Sequence, residues 1–163
     1  MTAAPKKKTP SNNIKLRRAA VKDAPEIQSL ILYYAKKDQI LARSLNEIYE
    51  NIRDFVVIES KKKVVGCGAL HICWNDLAEV KSLAVSPRNR RKGYGAKIVK
   101  KLLDDAGVLG IPKVFALTYQ VDFFHAMGFK DVEMEKLPKK IWVDCVKCVR
   151  FSNCNEKAVL IEL

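Results

Sequence analysis

The chain has 163 residues, 48% hydrophobic and 29% charged, with a formal net charge of +12. That length and balance specify one globular domain with a core of its own. No apolar run approaches the roughly 20 residues a membrane span needs, and the opening MTAAPKKKTPSNN lacks the apolar segment of a secretory signal, so a cytoplasmic protein without a membrane partner is expected.

A charge of this sign attracts nucleic acid, phosphorylated cofactors and carboxylate substrates alike. The five cysteines are an odd number in a chain without an export signal. They argue for reduced thiols or a metal rather than a disulfide framework.

Residues 1–13 read as a disordered basic tail, and residues 14–163 as the domain. IKLRRA (14–19) has the pattern of a first strand. Asp23 then stands as a helix N-cap, with Pro25 tolerated in the first turn. Ile27, Leu30, Ile31, Tyr34 and Ala35 supply an apolar stripe at helical spacing. Ser44 and Glu47 have the spacing of a capping box, and open a second helix with Leu45, Ile48, Tyr49 and Ile52 on its inner face.

From Phe55 the period changes. FVVIES (55–60), KVVGCGALHICW (63–74) and LAEVKSLAVS (77–86) are three β-rich runs separated by short polar turns, the pattern of an antiparallel meander. RNRRKGYGAK (88–97) follows. Behind it Ile98, Val99, Leu102, Leu103 and Ala106 share one helix face, which Gly110 and Pro112 end. KVFALT (113–118) suits a buried strand beside that crossover helix. A short helix through DFFHAMGF and a last strand in KAVLIEL complete the order β-α-α-β-β-β-α-β-α-β. The class is α/β (α+β), with one central mixed sheet flanked by helices.

A strand, a basic glycine-rich loop and a helix together make a good phosphate cradle. The glycines let backbone N–H groups converge, and the helix start adds the positive end of its dipole. The loop is neither a Walker A sequence nor G-x-G-x-x-G. Its Arg90-Arg91-Lys92-Gly93-Tyr94-Gly95-Ala96 reads R-x-x-G-x-G-A, and without context a solvated basic turn is the better explanation. Here LAVSP precedes it, a helix follows it, and FFHAMGF stands downstream. In that order these pieces resemble the Gcn5-related N-acetyltransferases (GNAT). The resemblance implies that family's fold, acetyl-CoA as cofactor and acyl transfer to an amine. It places the cofactor against Leu83, Ala84 and Val85 on the strand, against residues Arg90 to Ala96 in the loop, and against Phe124.

ILARS, GCGALH, AEVKSLAVSP, VFALT and FFHAMGFKDVEMEKLPKK resemble one subgroup, the N-acetylglutamate synthases, in a short form without their amino-acid-kinase-like domain. This implies L-glutamate as acceptor and a place in arginine biosynthesis; another amino acid, a small amine or a protein N-terminus is the alternative acceptor. Arg43 falls where that subgroup has a carboxylate-binding arginine, and a guanidinium grips a carboxylate bidentately; it also reads as an exposed charge ahead of a helix. His71 is a donor to a substrate carboxylate or a satisfied core histidine. Glu79, in an apolar strand, matches the subgroup's base for the acceptor amine. Lys81 is either its ion-pair partner or a further substrate contact. The family's usual acid, a tyrosine, is replaced by Phe124, so Thr118 and then Tyr119 are the candidate donors to the leaving sulfur. A homodimer is compatible with the sequence.

Cys145, Cys148 and Cys154 are spaced C-x2-C-x5-C. Three thiolates need one more ligand to hold structural zinc, and Cys67, Cys73, His71 or His125 are at hand. Reduced cysteines beside a surface loop are the alternative, and no metal is expected. Against a nucleic-acid-binding module stand the sparse aromatics, 8% of the chain, which are not interleaved with the basic loop as stacking platforms.

Overall fold

The computed structural model describes residues 13–138 and 156–163. The basic tail and the Cys145, Cys148, Cys154 group lie outside them, apart from residue 13. The elements are β1 (Ile14–Arg18), α1 (Ala24–Ala35), α2 (Leu45–Glu50), β2 (Phe55–Ser60), β3 (Lys63–Trp74), β4 (Leu77–Val85), α3 (Tyr94–Val108), β5 (Lys113–Thr118), α4 (Val121–Ala126), β6 (Lys130–Val132) and β7 (Lys157–Glu162). The strands form one seven-stranded sheet in the order β1-β2-β3-β4-β5-β7-β6. β2, β3 and β4 are the expected antiparallel meander. The crossover through α3 makes β4 and β5 the parallel pair, so the sheet is mixed and the class is α/β.

Each face of the sheet is covered. Val56, Ile58, Leu70 and Val80 pack under Ile98 and Leu102 of α3. Phe55, Val57 and Ala69 pack under Ile27, Ile31 and Ile48 of α1 and α2. Neighbouring strand residues serve opposite faces, so a strand buried on both sides shows an unbroken apolar run instead of alternation. FVVI is such a run. Close packing also explains Gly68, because a Cβ there would stand 2.6 Å from Ile98 Cγ2.

Local signals mostly hold. Ser44 Oγ accepts from the Glu47 N–H at 3.1 Å, and the Ser44 N–H donates to Glu47 Oε2 at 2.7 Å, completing the capping box. The helix it opens is shorter than expected, however. Ile48 is its buried residue, Tyr49 is 41% exposed, and Ile52 falls in the following 3-10 turn. Asp23 precedes α1 without capping it. Its carboxylate turns back, accepting from the Ala20 N–H at 2.7 Å and from Arg17 at 2.6 and 3.0 Å. Arg17 also reaches Glu59 at 2.6 and 3.0 Å, so one guanidinium ties β1, β2 and the entry to α1 together. It holds the Asp23 carboxyl below its ordinary range.

The short β6 was not expected. Three residues are too few to show a period, and the strand exists through pairing with β7.

Candidate active site

β4 and β5 pair only from Leu77–Lys113 to Glu79–Phe115. Beyond that the two parallel strands part. β4 also carries a bulge there. Cys67 faces Ala84 and Ala69 faces Lys81, so two steps along β3 correspond to three along β4. Ser82 takes the strained conformation, at φ +54°. Val80 packs on the α3 side before the bulge, and Leu83 and Val85 pack there after it. The extra residue has therefore exchanged the faces of the strand.

A cavity of about 260 Å³ fills the gap. Its walls include six consecutive residues of β4, Val80 to Val85, and the run Leu117 to Gln120 that ends β5. Consecutive residues alternate sides, so the cavity follows the strand edges, where the separated strands offer backbone N–H and C=O groups. Tyr34, Gln39 and Ile40 close it from α1 and the loop after it, and Phe123 and Phe124 close it from α4. The Tyr34 hydroxyl donates to the Val85 carbonyl, and burial pushes its pKa up, so it remains a donor.

At one end the cavity meets the start of α3. Gly93 is left-handed at φ +76° and supplies no side-chain cap. Lys97 is the first residue whose N–H bonds back to Gly93, at 3.1 Å, which leaves the N–H groups of Tyr94, Gly95 and Ala96 without a helical acceptor. Gly95 and Arg90 line the cavity, and Arg90 stands 5.8 Å from the centre of the Tyr34 ring. Arg91, Lys92 and Gly93 are exposed beside it, Ala96 is half-buried, and the Tyr94 ring is turned into the core. The gap offers backbone edges to a pantetheine-like arm, and the helix start and Arg90 offer positive charge to a pyrophosphate. The residues present therefore fit acetyl-CoA.

A second, smaller cavity of about 40 Å³ opens on the α1–α2 side. Phe55, Ala69 and Lys81 are cross-strand neighbours on β2, β3 and β4 and form its floor. Glu47, Ile48 and Asn51 of α2 and its C-terminal end form a wall, and Arg43 and Asp54 also line the cavity. Lys81 and Ser82 line both cavities, so the two meet there.

Glu79 and His71 make the next cross-strand pair on the same face as Ala69 and Lys81. Neither lines either of these two cavities. Glu79 is half-buried beside that floor, and His71 Nδ1 is 3.1 Å from Asp54 Oδ2. Thr118 is buried at the wall of the large cavity, its Oγ1 accepting from the Gln120 N–H at 2.8 Å. Tyr119 stands next to it in the same wall. No cluster of metal-ligating side chains occurs among the described residues. Cys67 is fully buried, with its thiol pushed up to about 12 by desolvation, and His125 faces Asp131 at 2.7 Å. No helix among the described residues is long and apolar enough to cross a membrane.

Sequence reasoning missed Tyr34, Ser82 and Asp54. Tyr34 was visible only as one more member of an apolar helical stripe. Ser82 left one trace, a polar residue between the apolar runs of β4. Asp54 carried no signal.

A parted β4–β5 pair with an uncapped helix start beside it, and a second cavity that meets it at Lys81 and Ser82, is the arrangement of an acyl-CoA-dependent transferase. Residues 18–129 match the acetyltransferase (GNAT) family, and the chain belongs to it. It is 38% identical over 151 residues to an uncharacterized N-acetyltransferase of Chlorobaculum tepidum, covering 93% of this chain and 97% of that one. It is 41% identical over 121 residues to the amino-acid acetyltransferase of Mycobacterium tuberculosis, covering 72% and 69%. Among solved structures, the N-acetylglutamate synthase of Neisseria gonorrhoeae with coenzyme A and N-acetyl-glutamate superposes with a TM-score of 0.83 at 28% identity, over 92% of this chain and 35% of that one. Rv2747 of Mycobacterium tuberculosis, in complex with CoA and NLQ, superposes with a TM-score of 0.79 at 32% identity, over 91% and 99%.

Proposed function

We propose that this acetyltransferase moves the acetyl group of acetyl-CoA to the α-amine of an amino acid, with L-glutamate as the acceptor. The observation that carries the reading is the meeting of a long donor cavity and a small charged cavity at Lys81 and Ser82. Both substrates can be seated at once, and holding them together removes much of the entropic barrier to direct transfer.

Bound acetyl-CoA supplies the acyl group as an activated thioester. The Gly93–Ala96 turn and Arg90 hold its phosphates, and the edge of β4 at Leu83, Ala84 and Val85 aligns its arm and offers an N–H toward the carbonyl oxygen. Arg43, with Lys81, receives acceptor carboxylate. Glu79 takes the proton that the incoming ammonium must lose, through water, from its place beside the Lys81 row. Thr118 Oγ1 donates a hydrogen bond to the departing thiolate, with Tyr119 next in line. Thr118 Oγ1 accepts from the Gln120 N–H, and its own hydrogen is left to donate.

A thiol-release assay with acetyl-CoA and a panel of amino acids tests this. Release that depends on L-glutamate is expected. Release with another amino acid instead corrects the acceptor, and release only with protein N-termini or simple amines removes the amino-acid reading.

A further inference from the structure

The acceptor cavity carries charge of both signs, and the carboxylates are as informative as Arg43. Asp54 ends the 3-10 turn Ile52–Asp54, and its N–H donates to the Asn51 carbonyl at 2.9 Å, so its backbone is fixed. Its side chain lines the cavity and is 29% exposed. Oδ2 is committed to His71 Nδ1 at 3.1 Å, while Oδ1 bonds to no described residue. His71 does not line the cavity itself. A half-buried carboxylate steadied on one oxygen and open on the other is a seat for a cation.

We infer that Asp54 is the acceptor-specificity residue that receives the substrate's α-ammonium, and that His71 is a positioning residue holding Asp54 for it. This rests on the amino-acid reading above and deepens it. The site then recognises a zwitterion: Arg43 selects for a carboxylate, and Asp54 selects against the same acid lacking its amine. With the proton on Nδ1, the imidazole donates to Oδ2 and fixes the carboxylate plane, leaving Oδ1 directed at the ligand. The ammonium captured here stands beside the row that carries Glu79, which is cross-strand from His71. Capture by one carboxylate and deprotonation by another separates binding from chemistry.

The test compares L-glutamate with glutarate, the same diacid without the amine, by calorimetry on the full chain in the presence of CoA, alongside steady-state kinetics. The wild-type chain should bind glutamate more tightly than glutarate. Asp54→Asn should weaken glutamate binding roughly 10- to 100-fold, as loss of a charge-assisted hydrogen bond does. Glutarate binding and KM for acetyl-CoA should stay within twofold. His71→Ala should raise KM for glutamate with little change in kcat. His71→Asn, whose amide can stand where Nδ1 stood, should restore it. Equal weakening of both acids in Asp54→Asn would mean that the cavity had merely collapsed, and would overturn the inference. So would an unchanged preference for glutamate. Should Asp54→Asn fail to fold, the same preference measured in His71→Ala decides, and a full wild-type preference there overturns the positioning role. A wild-type chain that binds neither acid and acetylates no amino acid removes the amino-acid reading itself. One that acetylates glutamate while Asp54→Asn loses nothing removes only the role of Asp54.

Discussion

The two glycines of the basic loop should respond to the same substitution in opposite ways. Gly95 is the second residue of α3, and its φ is not in the left-handed region; a Cβ there would stand 3.4 Å from Phe123 Cε2 and Cζ, an ordinary contact. Gly95→Ala therefore removes glycine's conformational freedom from the unfolded chain at no steric cost, stabilising by about 0.5–1 kcal/mol. For a chain of this size that raises Tm by about 1–4 °C. The new methyl group, however, is added at the wall of the larger cavity, beside the first N–H groups of α3. Losing one charge-assisted bond to a phosphate costs about 1.5–3 kcal/mol, so KM for acetyl-CoA should rise about tenfold or more. Gly93→Ala is the counterpart. Its φ of +76° opposes a side chain, although nothing lies within 4 Å of the added Cβ. It should cost about 1–2 kcal/mol and lower Tm, with a smaller effect on KM. Thermal unfolding with and without CoA, and steady-state kinetics in acetyl-CoA, read both quantities. A Gly95→Ala chain with raised Tm and wild-type KM would show that the phosphates are not held at the start of α3.

Two further outcomes follow from the same geometry. The Asp23 carboxyl is depressed chiefly by its hydrogen bonds from Arg17, below an ordinary value of 3.8. Its contribution is therefore complete above about pH 4 and is lost as pH falls through the folded value. Asp23→Asn should cost about 3 kcal/mol at pH 7 and should flatten the fall in Tm below pH 4; an acid limb as steep as the wild type's would show that Asp23 is not what acid disrupts. Glu79→Gln should lower kcat roughly 100-fold or more at neutral pH, with KM for acetyl-CoA unchanged, and full turnover would place the base elsewhere.

The fold was legible where one local rule governs one element. The bounds of β2, β3 and β5 coincide with their apolar runs, because burial on one or both faces writes a period into the sequence. The Ser44 box and the Gly93 turn were legible because backbone chemistry demands those residues. Asp23 misled, since a carboxylate before a helix can cap forward or pair backward, and Arg17 decided the choice from another strand. The site was legible only in part. The G-x-G loop and the β4 strand stood out, but the donor cavity arises from two strands parting, a matter of register that no single segment records. Asp54 lines the smaller cavity and is paired with a histidine 17 positions away in the sequence, and such a pairing has no local signature.

The bulge at Ser82 has a consequence for how this protein can vary. Lys81 and Leu83 stand two positions apart, and in a regular strand they would face the same way. The extra residue instead directs Lys81 to the floor of the smaller cavity and Leu83 to the packing under α3. Loss of a single codon there would turn every side chain on one arm of β4 to the opposite face, sending a leucine toward a charged pocket or a lysine into an apolar core. Substitutions along this strand can therefore be absorbed one at a time, whereas its length cannot change at all. The spacing between Glu79 and the basic loop is thus under stricter constraint than the identity of most residues that fill it.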